Sequence, residues 1–185
     1  CGVQGRSNLE AVAAVFSLDK VMAFDVQSGA ARLFREEMEA RIGVRIDLAR
    51  SPEEAVRECD IVLTAGPLLK VPHATIRPGW LGPGAFASLV DYDSYWSREA
   101  LRETDKFCTD DVPQMDYYKG LGYFVDVPPV HAELADLVTG AKPGRESGRE
   151  RTMTCNLGLA LEDMAVAPLV YRRAVENGIG TRLEL

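Results

Sequence analysis

Basic charge, paired cysteines and long apolar runs are what this sequence has little of, and each shortage removes a class of function. Its 185 residues carry 21 Lys and Arg against 28 Asp and Glu, a net charge of −7. No positive field therefore attracts a phosphodiester backbone, and no basic tail meets an anionic membrane, so neither is an expected partner. The four cysteines, Cys1, Cys59, Cys108 and Cys155, are far apart and form no CxxC pair, and only His73 and His131 could help complete a zinc site. That pattern fits reduced thiols in a cytoplasm and no metal. No apolar run approaches the roughly 20 residues of a membrane span, and the first residues lack the charged and apolar regions of a secretion signal. The nucleophile elbow GxSxG, the zinc-protease HExxH and the P-loop GxxxxGK[ST] are missing as well, which disfavours hydrolysis by those routes. No repeat of solenoid period is visible.

What is present is a core-forming chain of alternating periods. With 46% hydrophobic residues, the sequence is long enough to bury one domain's core. Leu9, Val12, Ala13 and Phe16 follow helical spacing, KVMAFD (20–25) is a compact apolar run, and Ala30, Leu33, Phe34 and Met38 return to helical spacing. VRIDLA (44–49), DIVLTAG (60–66), FASLVD (86–91) and KFCTD (106–110) read as further strands, with a helix starting at Ser51-Pro52. Strands alternating with helices predict a parallel sheet with crossover connections. Residues 111–129 mix turn residues with aromatics and read as irregular, while HAELADLVTG (131–140) is a short helix with a glycine stop and 142–151 a charged surface loop. RTMTCNLG (151–158) gives one more strand and turn, and a final helix runs towards Gly178 with Pro168 as a kink or junction.

The opening CGVQGRSNLEAV places Gly2 and Gly5 directly before a helix. A dinucleotide loop needs glycine where the backbone approaches a pyrophosphate, and the free N–H groups of a helix start to face it. Asp25 follows about 20 residues later at the end of an apolar strand, where an acid accepts ribose hydroxyls and repels a 2′-phosphate, favouring NAD over NADP. The plainer alternative is a helix start packed on a strand, with Asp25 capping the next helix, and an adenosylmethionine-dependent methyltransferase would share the acid. The second unusual segment is VDYDSYW (90–96), at the carboxyl end of a strand, where open α/β sheets place ligands. Asp91 and Asp93 point the same way if the strand persists, and Tyr92, Tyr95 and Trp96 would lower the local dielectric and raise a carboxyl's pKa towards proton-transfer use. The competing reading makes it a solvent-facing turn with Asp93 capping the helix SREAL.

Taken in order and spacing, CGVQGRSNLEA, DIVLTAGP, PGAFASLVDYD, the Gln114 segment, HAELADLVTG, PGRES and the ending NLGLALEDMAVAPLVYRRAVENGIGT resemble the nicotinamide-binding half of the ornithine cyclodeaminase and mu-crystallin family. The likeness covers nearly all of the chain. It implies a Rossmann-like, doubly wound, mostly parallel α/β sheet, here lacking its first strand, with Cys1 as the middle residue of a G-x-G. That strand would sit between KVMAFD and DIVLTAG. It also implies that the chain is one domain, 1–185, of a two-domain, homodimeric protein whose N-terminal substrate and dimerisation domain is absent.

Carried over by position, the resemblance implies that Gly2, Val3, Gln4 and Gly5 meet the pyrophosphate, and Asp25 the adenosine ribose. Thr64, Ala87, Ser88, Leu89, Val90, Ser97 and Asn156 then line the cofactor, Asp93 is the catalytic acid/base, and Ser94 lies beside the substrate. Ser88 stands where asparagine is usual and Asp91 where a small residue is common, departures that weigh against ornithine itself. The implied activity is NAD-dependent conversion of an amino acid: hydride leaves Cα, an imine results, and a carboxylate moves the protons. Ornithine cyclodeaminase-like ring closure is the first expectation, with an amino-acid dehydrogenase or ketimine reductase as its alternative. A crystallin-type binding protein for NAD(P)H and a small molecule is a third. Groups that hold the substrate carboxylate are expected mainly from the absent domain.

Overall fold

The computed structural model describes residues 1–183. Seven parallel strands fall into two sheets. β1 (Val21–Ala23) pairs with β2 (Ile46–Leu48), and a five-stranded sheet runs in the order β3-β4-β7-β5-β6, built from β3 (Ile61–Thr64), β4 (Phe86–Leu89), β7 (Thr152–Cys155), β5 (Lys106–Thr109) and β6 (Ala132–Glu133). The expected α/β architecture with parallel strands is what the chain forms. β1 and β3 are not hydrogen-bonded to each other, and each is an edge of its own sheet. Seven helices complete the described residues: α1 (Val3–Val15), α2 (Ser28–Ile42), α3 (Pro52–Val56), α4 (Arg98–Arg102), α5 (Val112–Gly120), α6 (Leu134–Thr139) and α7 (Ala160–Glu176).

Local chemistry explains where most elements begin and end. Ser51 caps α3 by accepting the Glu54 N–H at 3.1 Å, with Pro52 at the first helical position, where its missing N–H costs nothing. Gly43 and Gly140 close α2 and α6 in the left-handed conformation, at φ of 70° and 73°, which a residue without Cβ adopts freely. α5 lies within the stretch read from sequence as irregular. Its start is fixed by Asp111, whose Oδ1 accepts the Gln114 N–H at 2.6 Å, yet only Met115 of the helix is buried, so no apolar stripe announced it. α7 runs as one helix from Ala160 to Glu176 with Pro168 inside it, so no junction divides it there.

Two cores match the two sheets. Leu9, Ala23, Phe34, Met38 and Ile46 join α1, α2, β1 and β2. The larger core runs beneath the five-stranded sheet and includes Ala87, Leu89, Phe107, Met115, Trp96 and Met153. At the amino ends of the strands, Arg145 donates to the Gly84 and Glu150 carbonyls and to Thr152 Oγ1, so the charged loop of 142–151 fastens β4 to β7. The carboxyl ends of β3, β4, β5 and β7 therefore share the opposite edge, and the residues that follow them meet there.

Candidate active site at the carboxyl edge of the sheet

β4 ends at Leu89, so Asp91 and Asp93 lie in a turn and not on the extended strand that their shared direction required. Tyr92 between them has φ of 61°, a left-handed backbone that costs a side-chain-bearing residue on the order of 1 kcal/mol and that folds both carboxyls inward. The solvent-facing alternative fails on burial: Asp91 is 1% and Asp93 3% exposed. Nor does Asp93 cap the following helix. Ser97 does, accepting the Ala100 N–H at 3.1 Å, which gives this expected cofactor contact a structural task.

The two carboxyls have different partners. Asp91 Oδ1 accepts the Thr64 hydroxyl at 2.6 Å and Oδ2 accepts the Gly66 N–H at 2.8 Å. Asp93 Oδ1 is buried with no hydrogen-bond partner. Burial raises the pKa of both. For Asp91 the Gly66 and Thr64 bonds pull it back. For Asp93 the backbone of Asp93 and Phe124 lowers it, while the negative charges of Asp126 and Asp91 raise it further. Desolvation is also why Tyr92, packed 4.7 Å from Phe124 and 5.7 Å from Tyr118, is pushed up to about 12. Cys155, on the central strand, is raised well above its usual value by burial and then by Asp93, Asp110 and Asp91.

Ser94 is fully buried, and its Oγ accepts the Leu69 N–H at 2.9 Å. Thr64 donates to Asp91 and accepts from Trp96 Nε1 at 3.3 Å, leaving one lone pair for any ligand. The side chains of Ala87 and Leu89 belong to the core, so only their backbone is available, while Ser88 and Val90 are half-buried. Asn156 follows β7 and its Oδ1 accepts from Thr154 Oγ1 at 2.6 Å. The sequence reading missed Asp110. At 5% exposure, its Oδ2 accepts the N–H groups of Leu157 and Gly158 at 2.8 and 2.6 Å, fixing the turn beside Asn156. Its position directly after β5, matching Asp91 after β4, was the available signal.

The other expected contacts gather near β1. Gly2 is the N-cap of α1, whose first turn has no side-chain cap, so the N–H groups around Val3, Gln4 and Gly5 stay open to an anion. Asp25 Oδ1 accepts the Gln27 N–H at 2.9 Å, and Oδ2 lies 3.1 Å from the Cys1 α-amino group. Gln27, not Asp25, is the N-cap of α2. Asp25, Arg32 and Arg50 share the lining of a cavity of about 380 Å³. An open helix start and a carboxylate beside a cavity suit pyrophosphate and ribose respectively, so the donor set fits a dinucleotide.

The model of the ornithine cyclodeaminase/mu-crystallin family matches residues 1–178. The chain belongs to that family. Alanine dehydrogenase from Archaeoglobus fulgidus is 30% identical over 192 residues, covering 100% of this chain and 58% of the relative. Two solved structures agree on the fold. Thermococcus litoralis Δ1-pyrroline-2-carboxylate reductase, in complex with NADH and L-proline, superimposes with a TM-score of 0.82 at 31% identity over 98% of this chain and 58% of that one. An archaeal alanine dehydrogenase dimer with bound NAD does so at 0.80 and 30% identity, over 100% of this chain and 58% of that one. The chain thus spans 58% of the length of these relatives, and as a family member it shares their Rossmann-like fold.

Proposed function

We propose that this chain is the nicotinamide-binding part of a two-domain oxidoreductase that interconverts amino acids and their imines, as an amino-acid dehydrogenase or ketimine reductase. The observation that carries the proposal is Asp93: a buried carboxyl with one oxygen unpartnered and a raised pKa, at the sheet edge where this fold presents ligands. The dehydrogenase and reductase relatives support this reading over ornithine ring closure, the first expectation from the sequence. The nicotinamide cofactor, when bound, supplies the hydride acceptor and donor. NAD is the proposed form because of Asp25, with α1 holding the pyrophosphate. The chain's own share is proton handling. Asp93 Oδ1 takes a proton from the substrate amine or the attacking water and returns it on reversal, and its burial keeps bulk water from that oxygen. Dimerisation through a further domain, and a cytoplasmic location, belong to the same proposal. No described helix is long and apolar enough to cross a membrane.

NADH absorbance followed with the full-length two-domain protein and L-alanine, L-proline and L-ornithine tests the reading. NAD reduction by alanine or proline is expected. Ornithine consumed without net NADH favours ring closure instead, and stabilisation by adenosylmethionine but not by NAD removes the oxidoreductase reading. Asp93→Asn should lower kcat by about 10²–10⁴-fold, and full activity in that variant would remove Asp93 from its role.

A further inference from the structure

The loop leaving β3 does not hang free over the sheet edge. Asp91 binds Thr64 and Gly66, Tyr95 OH donates to the Pro67 carbonyl at 3.1 Å, Leu69 N–H donates to Ser94 Oγ, and His73 N–H donates to the Ser94 carbonyl at 2.7 Å. Gly66 passes against the Tyr95 ring so closely that any Cβ there would collide with it. Residues 64–73 are thus fastened to 91–95 along their length, and Asp91 supplies the charged fastening. Burying a carboxylate at 1% exposure is costly unless hydrogen bonds replace its water, and here the compensation comes first from Gly66 and Thr64 at the β3 exit and then from the backbone of Asp91 itself. The Thr64 hydroxyl is aimed by the same contact, because Trp96 Nε1 occupies one of its two lone pairs while Asp91 accepts its hydrogen bond, which leaves the other lone pair in a fixed direction.

We propose that Asp91 is a positioning residue: its carboxylate latches the exit of β3 to the exit of β4 and, through Thr64 and Gly66, sets the wall against which the cofactor is held. The proposal rests on the nicotinamide-binding reading. Asp91 touches no ligand itself. A neutral amide keeps one oxygen for the Gly66 N–H and so retains the latch in part, whereas a methyl group removes it.

Calorimetric titration with NADH of Asp91→Ala and Asp91→Asn, both in a Trp80→Phe background that leaves Trp96 as the sole tryptophan, tests this. Affinity should fall about tenfold in Asp91→Ala and stay within about threefold of the parent in Asp91→Asn. Trp96 emission should shift to the red in the alanine variant only. Parent-like affinity in Asp91→Ala, or equal losses in both variants with unshifted emission, overturns the proposal. Should Asp91→Ala not fold, Tyr95→Phe loosens the same loop by one neutral bond: a two- to threefold loss of affinity is expected, and no loss overturns it. A parent that binds no NADH overturns the cofactor reading and the positioning role with it. Amide exchange at Gly66 in the ligand-free protein, faster in Asp91→Ala than in Asp91→Asn, reports on the latch alone, so the two failures are told apart.

Discussion

Asp93 and Asp25 carry the sharpest consequences of the site. Asp93 titrates above its ordinary value of 3.8 because burial disfavours its charged form. A carboxyl shifted upwards contributes stability that is fully present below about pH 4 and is lost as pH rises through the raised value. Asp93→Asn removes that loss. The variant should be more stable than the parent near neutral pH by on the order of 1 kcal/mol, with the difference closing as pH falls towards 4. Melting curves across pH check this, and a constant difference would show that the carboxyl's ionisation plays no part. At the other end of the site, Asp25 shares its cavity with Arg32 and Arg50. Asp25→Ser removes the group that repels a 2′-phosphate and leaves the guanidinium groups, so the ratio of NADPH to NADH affinity should rise about tenfold. Titration with both cofactors measures it, and an unchanged ratio would take Asp25 out of cofactor choice.

At the scale of elements, strand exits are joined by carboxylates. Asp91 ties the loop after β3 to the turn after β4, and Asp110 ties the turn after β7 to the end of β5. Both accept backbone N–H groups that the parallel ladders leave unpaired where strands end. Asp110→Ala takes the buried acceptor from three such N–H groups, those of Asp111, Leu157 and Gly158, and should cost about 2–4 kcal/mol in chemical denaturation, with Asp110→Asn losing less; a loss below 1 kcal/mol would mean that water replaces the carboxylate. The sequence showed the strands near the site because KVMAFD, VRIDLA, DIVLTAG, FASLVD and KFCTD are compact apolar runs with clear ends. It did not show α5, where Tyr117 is exposed and Met115 alone is buried, because a helix fixed by its cap and one anchor has no periodic stripe. It carried Asp91 and Asp93 as a pair, but not their division of labour, which depends on the left-handed turn at Tyr92.

For the whole molecule, two cores of unequal size predict unequal protection. The small cluster around Phe34 and Met38 should open at lower free energy than the cluster around Phe107 and Met153, so amides of β1 and β2 exchange before those of β4 and β7. Mass spectrometric exchange checks the order, and simultaneous exchange would show a single cooperative unit. Helix α7 buries none of its residues and exposes Leu161, Met164 and Tyr171, so it adds nothing to either core. By itself, the sequence determined the alternation of strands and helices, the open glycine-marked start of α1, and the family through which its candidate residues were assigned, because periodicity, caps and motif spacing are local properties of a chain. Only the tertiary structure decided that β7, the last strand in sequence, lies between β4 and β5, that Asp110 joins the site, and that Asp91 is bonded while Asp93 Oδ1 is not. Those facts follow from which strand exits become neighbours, and burial and hydrogen-bond partners arise from contacts between residues far apart in the chain.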